Sequence, residues 1–298
     1  MAESKKILIA GGTGFIGKAL VQALGSAGHD VRVLSRKTGE SGNYFWNPLT
    51  QEIDPKALEG IQILINLSGS GIADQRWTDA RKKDLHTSRI GTNECLFHHL
   101  DKMPHLEQFI TASGINAYGF DENDVQHRES DPFGTDFLSE LVHAWEKSAD
   151  VFSEKCPVVK VRIAVVLGPD GGALKRMLPA IKLGAGSPLG TGKQFMPWIH
   201  STDLVGIIIH AIDHKLNGAY NAVAQCDTNR VFMKELAKQL KKPFFFPAVP
   251  SFVLRAMFGE MADVLLKGTS ASHQKIVDSG YSFKYPKLDE TLTSIFKK

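Results

Sequence analysis

An unbroken apolar run at 7–10 stops at two glycines, the pattern of a strand buried on both faces. Behind it Phe15, Ile16, Ala19, Leu20, Ala23 and Leu24 recur at helical spacing, and the region of Gly28 ends that helix. The alternation continues with strands over 31–34, 61–67, 108–113 and 158–167, the last closed by Gly168 and Pro169. Helices are predicted over 90–100 and 136–154. Strands alternating with helices predict a parallel sheet wound on both faces.

After Gly168 the pattern loosens. A glycine-rich loop spans 184–192, a helix is expected over 203–210 and a last strand over 219–223. From Pro243 the composition changes, with three prolines bracketing Phe244, Phe245 and Phe246 and helical stretches over 252–266 and 273–278. The reading is therefore an α/β, Rossmann-like doubly wound domain over 1–240 and a small, mainly helical C-terminal lobe over 241–298. That lobe is expected to cover the substrate cleft, although its apolar stripe also reads as plain core.

Composition narrows the functional classes. The 35 basic and 32 acidic residues are interleaved and leave a net charge of +3, without the concentrated basic face of a nucleic-acid binder. Three distant cysteines imply no disulfide framework, and no C-x-x-C or H-E-x-x-H spacing marks a metal site. The polar N-terminus has no signal-peptide core, and apolar runs such as 205–209 are too short to cross a bilayer. A cytoplasmic protein acting on a small molecule, as a monomer or homodimer, is expected.

Gly11-Gly12-Thr13-Gly14-Phe15-Ile16-Gly17 lies between the first strand and the first helix. In that context Gly11 permits a tight turn, Gly14 lets backbone approach a pyrophosphate, and Gly17 lets the helix pack closely. Free N–H groups at the helix start then face the phosphates. Residues 12–18 also read G-x-x-x-x-G-K, but Ala19 follows where a triphosphate-binding loop needs Ser or Thr, so that chemistry is rejected. The second strand ends Leu34-Ser35-Arg36-Lys37, with a base where NAD-binding folds place an acid. Arg36, with Ser35 beside it, suits a 2′-phosphate, so NADP(H) is expected over NAD(H).

The spacing G-x-x-G-x-x-G resembles the short-chain dehydrogenase/reductase superfamily, in its extended, NAD-dependent epimerase/dehydratase branch. Asn66-Leu67-Ser68-Gly69 resembles the turn beside the adenine and ribose, Tyr118-Gly119 the end of the fifth-strand segment, and residues 162–169 the segment beside the nicotinamide. Residues 198–203, W-I-H-S-T-D, resemble a late family stretch in which the acid is structural, here Asp203. Residues 72–77, Ser88-Arg89, 258–263 and 281–286 resemble the epimerase-like subgroup that ends in a short domain of unknown function. The resemblance implies the fold and a dinucleotide, held by Gly11, Thr13, Gly14, Phe15, Ile16, Gly17, Ser35, Arg36, Leu67, Ser68, Gly69 and Arg162.

The resemblance breaks at the chemistry. The superfamily's Tyr-x-x-x-Lys pair would fall on the helix at 136–154, where the sequence is Phe137-Leu138-Ser139-Glu140-Leu141, and none of the five tyrosines has Lys four residues later. Ser113 lies five residues before Tyr118, one more than the family's spacing. Tyr118, Ser113 and His200 remain as candidate acid–base groups, each with a structural alternative. Arg76, Trp77 and Arg89, near Lys82, could form a lip for an anionic substrate or a solvated helix face. Gln194 and Trp198 follow the glycine-rich loop and could line a lid. Two functions follow: an NADP(H)-dependent oxidoreductase or epimerase-like enzyme, and a non-catalytic NADP(H)-binding sensor or scaffold.

Overall fold

The computed structural model describes residues 3–37, 42–120, 125–169 and 171–297. Its main sheet has eight strands: β1 (Lys6–Ala10), β2 (Asp30–Ser35), β3 (Asn43–Asn47), β4 (Glu52–Ile53), β5 (Ile63–Asn66), β6 (Gln108–Gly114), β8 (Val158–Ile163) and β12 (Gly218–Ala222). Between them in the chain lie β7 (Gln126–His127), β9 (Val165–Gly168), β10 (Gly171–Gly172) and β11 (Phe195–His200), and after them β13 (Gln225–Thr228) and β14 (Ser270–Ala271). The order across the sheet is β12-β8-β6-β5-β1-β2-β3-β4, parallel throughout except for the β3–β4 pair. Strand order reverses at β1, which makes the carboxyl ends of β1 and β5 the crevice where such sheets take ligands.

Alternation of side chains splits the core in two. Ile7 and Ile9 of β1, Ile63 and Ile65 of β5, and Val159 and Val161 of β8 face one layer. That layer contains α1 (Phe15–Ser26) and α7 (Ser201–Asp213). Leu8, Leu64, Phe109 and Val158 face the other, with Cys95 and Leu96 of α4 (Thr92–His98). The helices between these are α2 (Pro55–Leu58), α3 (Asp79–His86), α5 (Phe137–Asp150) and α6 (Leu174–Lys182). After α7 come α8 (Asn229–Gln239), α9 (Ser251–Phe258), α10 (Asp263–Leu266), α11 (Gln274–Asp278) and α12 (Leu288–Phe296). The lobe after Pro243 is mainly helical, as expected, and Gly259, with φ +62°, breaks its helical stretch into α9 and α10. Among the described residues no helix is long and apolar enough to cross a membrane.

The single strand expected over 158–167 is two strands. β8 lies in the main sheet, the chain turns out at Ala164, and β9 joins a second sheet of order β10-β9-β11-β13. The apolar run is continuous because both strands are largely buried, so hydrophobicity alone could not show the corner. The helix expected over 90–100 begins earlier, as α3, and passes through a π-helical turn at Thr87–Gly91 before α4.

The C-terminal segment is locked to the middle of the chain by one acid. Asp203, in the first turn of α7, is fully buried. Its carboxylate accepts the backbone N–H groups of Lys284 at 2.7 Å and Tyr285 at 3.0 Å, and the Tyr281 hydroxyl at 3.0 Å. The expected structural role of Asp203 is thus the docking of residues 281–285.

Candidate active site

The glycine turn occupies the crevice between β1 and β5. Gly11 has φ +81°, and a Cβ there would lie 2.8 Å from the Leu67 carbonyl carbon, so the two loops meet backbone to backbone. A Cβ on Gly17 would come within 2.2 Å of the Gly11 carbonyl oxygen and 2.6 Å of the Gly12 Cα. Gly17 therefore packs α1 against its own turn rather than against the sheet alone. The N-cap of α1 is Gly14, and no side chain satisfies the first-turn N–H groups. By contrast α5 is capped by Asp136 and α8 by Thr228. Thr13 and Gly14 are exposed, while the Phe15 ring lies beneath the hairpin of β9 and β10, where a Cβ on Gly171 would be 2.7 Å from it. Ser35 is buried at the end of β2 and accepts the Lys37 N–H at 3.1 Å. Arg36 is exposed and has no ion-pair partner among the described residues.

The turn after β5 is gripped from the π-helical segment. The Ser70 N–H donates to Ser88 Oγ at 3.1 Å, and Arg89 donates to the Ser70 carbonyl at 2.9 Å and to that of Leu85 at 3.1 Å. Arg89 is buried, and burial lowers its pKa to about 10. It lies over the Trp145 ring with the Gly69 backbone against it, so it holds the Ser68–Gly69 turn and leaves the expected substrate lip. The other residues of that expected lip, Arg76, Trp77 and Lys82, lie together. Trp77 donates its ring N–H to Ile72 and meets the Phe137 ring edge-on at 5.1 Å, while the Lys82 ammonium sits 4.8 Å over that ring. Lys82 also pairs with Glu260 at 2.7 Å, and Arg76 lies against Gly259, which brings the C-terminal lobe onto this lip.

Three residues singled out separately in the sequence belong to one buried network. Ser113 Oγ donates to Glu146 at 2.6 Å, and Glu146 accepts from Arg162 Nε at 2.8 Å and from its second terminal nitrogen at 3.0 Å. Arg162 also donates to the Tyr118 hydroxyl at 2.9 Å, which in turn donates to Asn221 at 2.7 Å. Ser113, Glu146 and Arg162 are each 3 % exposed. Burial pushes the Tyr118 phenol up to about 12 against the opposing pull of Arg162, so it stays protonated at neutral pH. Arg162 therefore braces Tyr118 and the end of β8 from below, with most of its donors used within the fold.

Glu146 and Asn221 escaped the sequence reading. The signal was present for Glu146, which falls four residues after Val142 and eight after Leu138 on the buried stripe of α5. An acid on a core stripe needs a buried partner, and Arg162 alternates onto the same side of β8.

The remaining candidates each make contacts within the fold. His200 is the N-cap of α7: its Nδ1 accepts the Thr202 N–H at 3.0 Å, and its ring packs on Tyr285 at 4.2 Å. Trp198 is fully buried in β11 and donates to Asp227 at 2.8 Å, so it offers no surface to a substrate. Gln194 donates to the carbonyls of Leu189 and Leu265, tying the glycine-rich loop to the C-terminal lobe.

Burial lowers the His200 pKa below its ordinary value of 6.5. The unfolded chain then gains a proton first as pH falls, so this contribution is intact above pH 6.5 and is lost as pH falls through the lower folded value. His200→Asn keeps a capping oxygen, and urea melts across pH 5–7 are expected to show a shallower acid loss for it. Identical slopes would move the acid sensitivity elsewhere, for instance to His210, whose pKa burial also lowers.

Comparison with known proteins decides the family. The profile of the NAD dependent epimerase/dehydratase family matches residues 7–223. The chain belongs to that family. A domain of unknown function, DUF1731, follows in this epimerase-family chain over residues 249–295. The mouse (Mus musculus) epimerase family protein SDR39U1 is 37% identical over 297 residues, covering 97% of this chain and 99% of its own. The Mycobacterium bovis epimerase family protein Mb2239 is 36% identical, covering 96% of each. Among solved structures, human epimerase family protein SDR39U1 (isoform 2) with NADPH superposes with a TM-score of 0.89 at 35% identity, covering 97% of this chain and 98% of that one. The NAD-dependent epimerase/dehydratase fold and the helical C-terminal domain are thus shared along nearly the whole chain.

Proposed function

We propose that this epimerase-family chain binds NADP(H) at the Gly11–Gly17 turn and transfers hydride to or from a small cytoplasmic molecule without a Tyr-x-x-x-Lys pair. The uncapped start of α1, lying where a Cβ on Gly11 or Gly17 would collide with backbone, carries this reading. The fit of the related human protein with NADPH supports it. Thr13, Gly14, Phe15 and Ile16 would meet the pyrophosphate through backbone, the segment of Leu67, Ser68 and Gly69 would line the ribose side, and Ser35 and Arg36 would take the 2′-phosphate. When bound, the nicotinamide supplies or accepts the hydride. The chain's own residues hold it at the crevice, and the lip of Arg76, Trp77 and Lys82 with the lobe over 241–298 would enclose a small, anionic substrate beside it.

Arg36→Ala is expected to weaken NADPH binding at least tenfold while changing NADH binding little, because only the 2′-phosphate is lost from the contact. Calorimetric titration of both nucleotides checks this. Equal losses would show that Arg36 does not read that phosphate.

A second reading, a sensor or scaffold without turnover, is favoured by one observation. Tyr118, Ser113 and His200 are each committed to hydrogen bonds within the fold, and α5 carries no tyrosine. NADPH oxidation screened against carbonyl compounds and sugar nucleotides separates the two. Turnover with any of them ends the second reading, whereas tight NADPH binding without turnover favours it.

A further inference from the structure

A second polar cavity lies away from the glycine turn. It has a volume of about 600 Å³ and opens at the β8–β12 edge of the sheet, between α5 and α11. The dinucleotide turn follows β1, three strands along, roughly 14 Å away at the usual strand spacing. Lys160 and Arg162 face this cavity because both alternate to the α5 side of β8, where a two-sided parallel sheet ordinarily carries apolar residues.

Two ion pairs hold part of its walls. Lys160 pairs with Asp150 at 2.7 Å, and Arg162 pairs with Glu146 at 2.8 Å. Four groups stand outside them, among them Asp278, which accepts the Gln274 side-chain amide at 2.7 Å. Arg128 and Lys275 have no carboxylate within ion-pair distance among the described residues, and Glu129 uses one oxygen for the Asn221 N–H at 2.8 Å. Lys275 is nonetheless held in place: its ammonium donates to the Ala219 carbonyl at 2.8 Å and sits 4.5 Å over the Tyr220 ring. One of its three hydrogens is thus used and the others remain for a ligand. A fixed cation with unused donors costs little further ordering when an anion arrives.

We propose that this cavity is a binding site for a small hydroxylated anion, a phosphate or carboxylate whose acidic end pairs with Lys275 and Arg128 and whose hydroxyl donates to Glu129. Four cations (Arg128, Lys160, Arg162 and Lys275) against three carboxylates (Glu129, Glu146 and Asp278) on its walls favour an anion over a bare cation, and the carboxylates outside the ion pairs favour one that carries a hydroxyl. The volume admits a ligand of metabolite size and excludes a folded partner. The site is separate from the dinucleotide crevice, and its ligand would brace β12 against α11.

The test is calorimetric titration of the full chain, alone and saturated with NADPH, using inorganic phosphate, glucose 6-phosphate and citrate as probes. Glucose 6-phosphate or citrate is expected to bind with a Kd of about 1 mM or tighter, and inorganic phosphate more weakly. Lys275→Met and Arg128→Gln should each weaken that binding about tenfold and leave NADPH affinity unchanged. Arg128 is exposed and its side chain has no ion-pair partner among the described residues, so its substitution removes no contact that holds the fold. The proposal is overturned if no probe saturates, if neither substitution changes the binding, or if NADPH abolishes it, which would place the anions in the nucleotide crevice. A failure of NADPH to bind would overturn the dinucleotide reading alone, since the probes are read on the free chain as well.

Discussion

Gly17→Ala is expected to lower NADPH affinity about a hundredfold, on the order of 3 kcal/mol. One methyl group has this effect because nothing near Gly17 can yield cheaply. Its Cβ would sit 2.2 Å from the Gly11 carbonyl oxygen and 2.6 Å from the Gly12 Cα, both backbone atoms. Overpacking of this kind costs about 1–3 kcal/mol when a core can shift. Here the shift must displace the turn or swing the start of α1, and the N–H groups that would face the phosphates move with it. Gly25, near the end of the same helix, has open space at its Cβ position. Gly25→Ala therefore serves as a matched control with unchanged affinity and slightly higher helix stability. A Gly17→Ala protein that binds NADPH like the unsubstituted chain would take the phosphates away from this turn.

Glu146→Leu and Arg162→Met are each expected to cost about 3–5 kcal/mol of stability, the loss typical of a buried ion with its partner removed. The side chains of this pair are 4 % exposed, so solvent cannot replace the missing partner. The two losses should differ in reach. Glu146→Leu also frees the Ser113 hydroxyl, and Arg162→Met also releases the Tyr118 hydroxyl. The double substitution should recover most of the cost, since no charge is then stranded. Urea unfolding of the four proteins measures the cycle. If the double variant is as unstable as the two losses added together, the pair contributes through packing around Tyr118 and Phe133, whose rings flank Arg162, rather than as a pair of charges.

What could be read from the sequence followed the range of the cause. The glycine turn is local, for strand, turn and helix are contiguous, and its expected geometry is present at Gly11 and Gly17. The doubly wound sheet was legible where a strand carries its own apolar run, as β1, β5 and β6 do, whereas β3 (NYFWN) and β4 (EI) at its far edge were not expected. Residues whose role depends on distant partners were not. Arg89 and Trp198 look like surface recognition residues in sequence, yet one grips Ser70 and the other donates to Asp227. His200 precedes a helix, which allows it either to cap or to catalyse, and only the 3.0 Å contact with Thr202 shows the cap. Strands β9, β11 and β13 pair across about thirty positions, with Val165 opposite Trp198 and Trp198 opposite Gln225, so periodicity did not show their pairing.

Asp203 also sets a schedule for synthesis. Its carboxylate is hidden from water in the first turn of α7, yet its partners at Tyr281, Lys284 and Tyr285 are translated some eighty residues later. Until they exist, α7 cannot settle on the sheet without stranding a charge away from water. Residues 6–222, which contain every strand of the main sheet, are therefore expected to reach full stability only once 281–285 have docked. A chain cut before 281 is expected to keep its nucleotide turn and to lack the native seating of α7.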